Sequence, residues 1–102
     1  MASLHTINQS PKHTEIWTKL VRLLNTGDRL LLIEDACYAV TKKSLLRQLT
    51  ELSEHRNIEI FTLKPDAEAR GIPSEKQLAE IDYQGFVSLA AETEKTISWC
   101  SE

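Results

Sequence analysis

A chain of 102 residues, 41% hydrophobic and 26% charged, has the composition of one globular domain built around a single core. Its formal charge of −3 offers no field to draw nucleic acid or an acidic membrane, and no apolar run approaches the ~18 residues that cross a bilayer. The opening "MASLHTINQSPKH" lacks the basic start and long apolar stretch of an export signal, so a cytoplasmic location is expected.

In chain order, "SLHTIN" (3–8) has the β character of a short strand, which Ser10-Pro11 stops. "TEIWTKLVRLLN" places Ile16, Trp17, Leu20, Val21 and Leu24 on one face of a helix, with Thr14 as its cap and Gly27 just past its end. "RLLLIED" holds an unbroken apolar run from Leu30 to Ile33, the pattern of a central strand covered on both faces. "ACYAV" then reads as a helical turn of its own. Leu45, Leu46, Leu49 and Leu52 mark a helix from about Ser44, its cap, to His55. "IEIFTLK" (58–64) is a third strand ended by Pro65, and "PDAEARGI" gives one short helix closed by Gly71. "LAEID" (78–82) is a weak fourth strand. "YQGFVSLAAET" packs a helix through Phe86, Val87, Leu89 and Ala90, and "TISWC" (96–100) is the last strand.

Strand and helix alternate along the whole chain, with connections long enough for crossovers. The expected fold is therefore a three-layer α/β/α domain over residues 1–102, with a mostly parallel sheet of about five strands.

The chemistry-bearing residues are few. Cys37 and Cys100 lie far apart without CxxC spacing, and His5, His13 and His55 are scattered, so no metal site is expected. In a cytosolic setting both thiols would stay reduced. No GxGxxG or GxxxxGK[ST] loop is present, and the first strand ends in "NQS" rather than in magnesium-binding acids. No cofactor is expected. Direct RNA binding lacks the basic-aromatic stripe it would need.

Four segments carry a more specific signal: "LHTINQSP", "GDRLLLIEDACYAV", "LKPDAEARGI" and "EIDYQGFVSLAAETEKTISW". In this order and spacing, from Leu4 to Trp99, they resemble the DsrH/TusB family of DsrE/DsrF/DsrH-like sulfur-relay subunits. The resemblance implies a subunit that joins two paralogues, of TusC and TusD type, in a dimer of heterotrimers. That complex takes persulfide sulfur from one small carrier protein and hands it to another, toward 2-thiolation of the wobble uridine of certain tRNAs. In sulfur-oxidising relatives the same architecture serves a dissimilatory pathway. In both, the principal sulfur-bearing cysteine belongs to the TusD/DsrE-type subunit, which implies a non-catalytic role for this one.

Cys37 admits two readings. Just past the end of a parallel strand, at the start of a helical turn, it stands where open α/β sheets bind ligands and where a helix dipole favours thiolate. A persulfide acceptor would need that thiolate. Against this, the family turn usually reads Asp-Gly followed by Val or Ile, so Cys37 replaces a packing aliphatic residue, and Glu34 and Asp35 beside it oppose ionisation. Ala36 replaces the usual glycine and is expected to restrict this turn. Leu20 stands where DsrH-type members carry a further cysteine, which moves the reading toward TusB. His5, Asp35 and Asp82 are candidates for the rim at the strand ends, although a hydrogen-bonded structural His5 and a capping Asp82 explain them too. Lys42, Lys43 and Arg47 form a small basic cluster, to be read as a solvated helix face or a greeting surface for an acidic carrier protein or tRNA. Trp17 and Trp99 are the interface candidates.

Overall fold

The computed structural model describes residues 2–100. Five strands and four α-helices alternate: β1 (Ser3–Ile7), α1 (Thr14–Leu23), β2 (Arg29–Leu32), α2 (Lys43–Arg56), β3 (Glu59–Leu63), α3 (Lys64–Ala69), β4 (Ala79–Ile81), α4 (Tyr83–Glu92) and β5 (Lys95–Trp99). A 3-10 segment, Glu34–Thr41, fills the gap between β2 and α2. The strands line up as β4-β3-β2-β1-β5, and every neighbouring pair is parallel.

That order dictates the layers. The steps β1 to β2, β2 to β3 and β3 to β4 all move the same way across the sheet, so right-handed crossovers put α1, α2 and α3 on one face. The last connection doubles back past β3, β2 and β1, which puts α4 on the other face. The two apolar clusters match this division. Trp17, Leu20, Leu49, Leu52 and Ala67 pack with Leu30, Leu32 and Ile60 on the three-helix face. Leu4, Leu31 and Leu63 pack with Leu89, Phe86 and Ala90 on the α4 face. Within β2, Leu30 and Leu32 serve one core and Leu31 the other, which is why this strand is apolar without alternation. The expected three-layer, five-stranded architecture holds, and the sheet is parallel throughout.

Several boundaries differ from the sequence expectation for identifiable reasons. Thr14 is the first helical residue of α1 and not its cap: His13 occupies that position without a side-chain bond, and its carbonyl accepts Ile16 N and Trp17 N. Ser44 likewise lies inside α2, whose cap position is Lys42 at the junction with the 3-10 segment. The end of α1 comes at Leu23 because Asn25 N donates to the Asp28 carboxylate at 2.9 Å and Leu24 turns extended into the core. Ala36 imposes no restriction. The left-handed residue in its turn is Glu34 (φ 49°), and the Ala36 methyl is fully buried.

Two other ends follow their sequence signals. After α3, Gly71 (φ +65°) donates to Glu68 O and Ile72 N donates to Ala67 O, while Ile72 packs in the same core as Ala67. This double bond is the Schellman closure that "ARGI" encodes. At the start of α4, Asp82 Oδ1 accepts from Gly85 N at 2.8 Å, satisfying one of the orphan donors of the first turn. Gly85 is there for space: a Cβ would lie 2.9 Å from Ile81 Cβ.

Two stability measurements check this part. Asp82→Ala is expected to cost about 1 kcal/mol, with Asp82→Asn retaining most of it. Gly85→Ala is expected to destabilise by about 1–2 kcal/mol, although alanine is the better helix former, because overpacking against Ile81 exceeds the propensity gain. Denaturant unfolding would show both; a more stable Gly85→Ala variant would disprove the steric account.

Candidate functional site

In a parallel sheet all carboxyl ends face one rim, the usual ligand edge of open α/β folds. Here that rim collects Asn8 after β1, Glu34 and Asp35 after β2, Asp66 in α3 and Asp82 after β4. The acids are held by specific donors. Glu34 N donates to Asp66 Oδ2 at 2.7 Å, Asn8 Nδ2 donates to Glu34 Oε2 at 3.3 Å, and Arg70 Nε donates to Asp35 Oδ1 at 3.0 Å. These bonds over-determine the left-handed Glu34, a conformation rare outside glycine. Asp82 spends one oxygen on its cap. The rim is thus a set of locally engaged carboxylates, exposed except for the half-buried Asp66, with Arg70 as their cation.

Cys37 does not open onto that rim. It is the fourth residue of the 3-10 segment and is fully buried among Ala36, Ala39 and Val40, with Sγ donating to Leu32 O at 3.4 Å. Burial, and then the negative charge of Asp66, push its thiol up to about 11. The thiolate that attacks a sulfur donor is therefore a trace species at neutral pH. The expected position at the strand end is correct, but the side chain points inward, so the helix-dipole activation weighed for it finds no exposed sulfur to act on. Cys100 is exposed, directly beyond β5.

His5 belongs to a different constellation. Its Nε2 lies 3.1 Å from Asp28 Oδ2, and Trp99 Nε1 donates to its Nδ1 at 3.0 Å. An indole N–H only donates, so Nδ1 is the acceptor and Nε2 carries the proton directed at Asp28. The rings of His5 and Trp99 also stack, with centroids 6.3 Å apart. Asp28 lies at the amino end of β2, so His5 is tied toward the edge opposite the acidic rim and does not join Asp35 and Asp82. The Asp28 carboxylate, itself buried, also accepts Ser3 N at 3.0 Å and Asn25 N at 2.9 Å. Desolvation raises its pKa, but the bonds from Asn25, Ser3 and His5 outweigh it and the net shift is downward.

Trp17 is core, with its indole N–H shared between Gln9 O and Ser10 O at 3.1 Å each. Trp99 is half-buried on β5, which among the described residues is an edge strand paired with β1. Lys42, Lys43 and Arg47 are exposed. A cavity of about 520 Å³ lies beside His5, Asp28 and Trp99, and one of about 610 Å³ runs between α1 and α2. Neither is lined by Asp35, Cys37 or Asp82. Among the described residues no group of three or more His, Cys, Asp or Glu is placed to hold a metal ion, and no helix is long and apolar enough to cross a membrane.

Asp28, Asp66 and Arg70 are functional positions that the sequence patterns do not single out. Asp28 had a signal: a carboxylate between Gly27 and an apolar strand, in a segment where a surface turn would leave it unpartnered. Asp66 and Arg70 had none, because their partners lie 32 and 35 residues away.

Two outcomes are expected. In the native protein at pH 7.5, iodoacetamide should modify Cys100 and spare Cys37, with two adducts only after unfolding; mass spectrometry counts them, and rapid native modification of Cys37 would contradict its burial. Because the folded Asp28 titrates below its unfolded value of about 4, its stabilisation is complete above that value and lost as pH falls through the depressed native one. Asp28→Asn should cost about 1–3 kcal/mol at pH 7 by leaving a backbone N–H unmatched, and should flatten the acid limb of stability against pH.

Comparisons with known proteins follow the same outline. Protein TusB of Enterobacter sp. (strain 638) is 34% identical over 98 residues, covering 94% of this chain and 99% of the relative. Protein TusB of Pectobacterium parmentieri is 32% identical over 99 residues with the same coverage, and Protein TusB of Escherichia coli O139:H28 is 34% identical over 98 residues, again with that coverage. Among solved structures, the crystal structure of the ychN protein from E. coli superposes with a TM-score of 0.68 at 17% identity, covering 96% of this chain and 99% of that one. The solution structure of protein Tm0979 from Thermotoga maritima gives 0.55 at 21% identity, covering 87% and 91%. These two show the shared fold. The profile of the family described as DsrH like protein matches residues 9–96, and with TusB relatives above 30% identity along nearly the whole length, the chain belongs to the DsrH family.

Proposed function

We propose that this chain is a non-catalytic subunit of a TusB-, TusC- and TusD-type sulfur-relay complex, passing persulfide sulfur toward 2-thiolation of the tRNA wobble uridine in the cytoplasm. The end-to-end similarity to TusB proteins supports the family role. The observation that carries the non-catalytic part is Cys37, whose sulfur is sealed in the core with a raised pKa. A relay thiol must meet a carrier's persulfide sulfur directly, and an inward sulfur bonded to Leu32 O has no approach. Leu20, at the position where a further thiol would mark the sulfur-oxidising branch, is likewise fully buried and apolar. The sulfur chemistry then falls to a TusD-like partner, and this chain contributes surface. Trp99 on the edge strand β5 and the exposed pair Tyr83 and Val87 on α4 are the candidate contacts with TusC-like and TusD-like paralogues.

Coexpression with the two paralogues of the same genome should yield one co-purifying assembly, and Cys37→Ala should leave sulfur transfer through it within about twofold of wild type. Failure to copurify with either paralogue, or a transfer rate abolished by Cys37→Ala in an intact assembly, would overturn the proposal.

A further inference from the structure

The groove between α1 and α2 has a charge that the chain as a whole does not. Its floor is Trp17, Val21 and Leu45, with Val21 and Leu45 half-buried. Its rim is Lys12, Arg22 and Lys42, all exposed, and no acidic side chain lines it. None of these three cations forms an ion pair among the described residues, where the pairs are His5–Asp28, Arg29–Glu59, Arg29–Glu92 and Arg70–Asp35. A protein of net charge −3 thus carries an apolar trough edged by three unpaired positive charges. In the sequence Lys42 groups only with Lys43 and Arg47. Folding brings it beside Lys12 and Arg22, which come from the other side of the trough.

We infer that the α1–α2 groove docks an acidic amphipathic helix of a partner protein, its aliphatic side chains on Val21 and Leu45 and its carboxylates against Lys12, Arg22 and Lys42. An apolar floor edged by cations matches the helix-in-groove mode, in which apolar anchors at i, i+3, i+4 and i+7 fill the trough and flanking charges set orientation. Other occupants fit less well. A small molecule would want fixed, desolvated polar groups, and here the charged groups are all exposed while the Trp17 N–H points away to Gln9 and Ser10. Single-stranded RNA would want aromatic faces to stack on, and the one aromatic ring in the floor is 4% exposed. A second copy in a two-fold contact would set the three cations against themselves. The inference goes beyond the sulfur-relay proposal and does not depend on it.

The test is an NMR titration of the full chain with a synthetic peptide carrying Leu at i, i+3, i+4 and i+7 and Glu at the flanking positions. Its Lys-for-Glu counterpart and a single-stranded oligouridine are titrated in parallel. Shifts should concentrate at Trp17, Val21 and Leu45 with the Glu peptide alone. Affinity should fall at least about tenfold in Lys12→Glu/Arg22→Glu/Lys42→Glu and on raising the salt, with the unfolding midpoint unchanged because all three positions are exposed. Absence of groove shifts, equal binding of the Lys peptide, affinity unmoved by the charge reversal, tighter groove binding by the oligouridine, or a dimer in sedimentation that occludes these residues would each overturn the inference. None of these outcomes bears on copurification with the paralogues, so the two proposals fail separately.

Discussion

The Asp28 carboxylate is the anchor on which the amino end of the sheet depends. A buried carboxylate is tolerated only when its lone pairs are taken, and a group of this kind left short of partners costs several kcal/mol. Asp28 satisfies the demand with Ser3 N from β1, Asn25 N from the end of α1 and His5 Nε2 from mid-β1. Each bond does a structural job. The first holds the start of β1 against the start of β2, the second ends α1, and the third fixes the tautomer that lets His5 accept from Trp99 on β5. One side chain therefore ties together three of five strands and the first crossover.

The opposite edge of the sheet is arranged differently. Its carboxylates, exposed except for the half-buried Asp66, are engaged with backbone N–H groups, with the Asn8 amide or with Arg70, beside a 3-10 segment whose inner face is small and apolar. Ala36, Cys37, Ala39 and Val40 fill the space between β2 and α2, and the thiol is one of four side chains doing the same packing. Burial and a neighbouring carboxylate both act against ionisation, so the position that open α/β sheets favour for ligands carries here a sulfur that is kept protonated. Electrostatics and packing agree, and the agreement removes the nucleophile.

Away from that buried thiol, the fold presents surface for contact. Three of its faces have unused contact capacity: the edge strand β5, the outer face of α4 and the cationic trough between α1 and α2. They lie on different layers of the fold. The net acidity of the chain and the positive charge of the trough are compatible because, among the described residues, none of the acids lines the trough.

The order of elements, the covered central strand and the caps at Gly71 and Asp82 were legible in the residues themselves, because each rests on neighbours within one turn or one strand. Periodicity separated strand from helix, and the unbroken run from Leu30 to Ile33 announced a strand buried on both faces. The helix starts at Thr14 and Ser44 were misplaced because the incoming turn and the 3-10 segment, which a local reading does not see, set where the backbone becomes helical. Side-chain direction was out of reach altogether. Whether Cys37 faces solvent or core, whether His5 meets Asp35 or Asp28, and which lysines share a trough are questions about residues tens of positions apart. Only packing the layers together answers them, since burial and charge pairing are properties of the assembled interior and not of any stretch of chain.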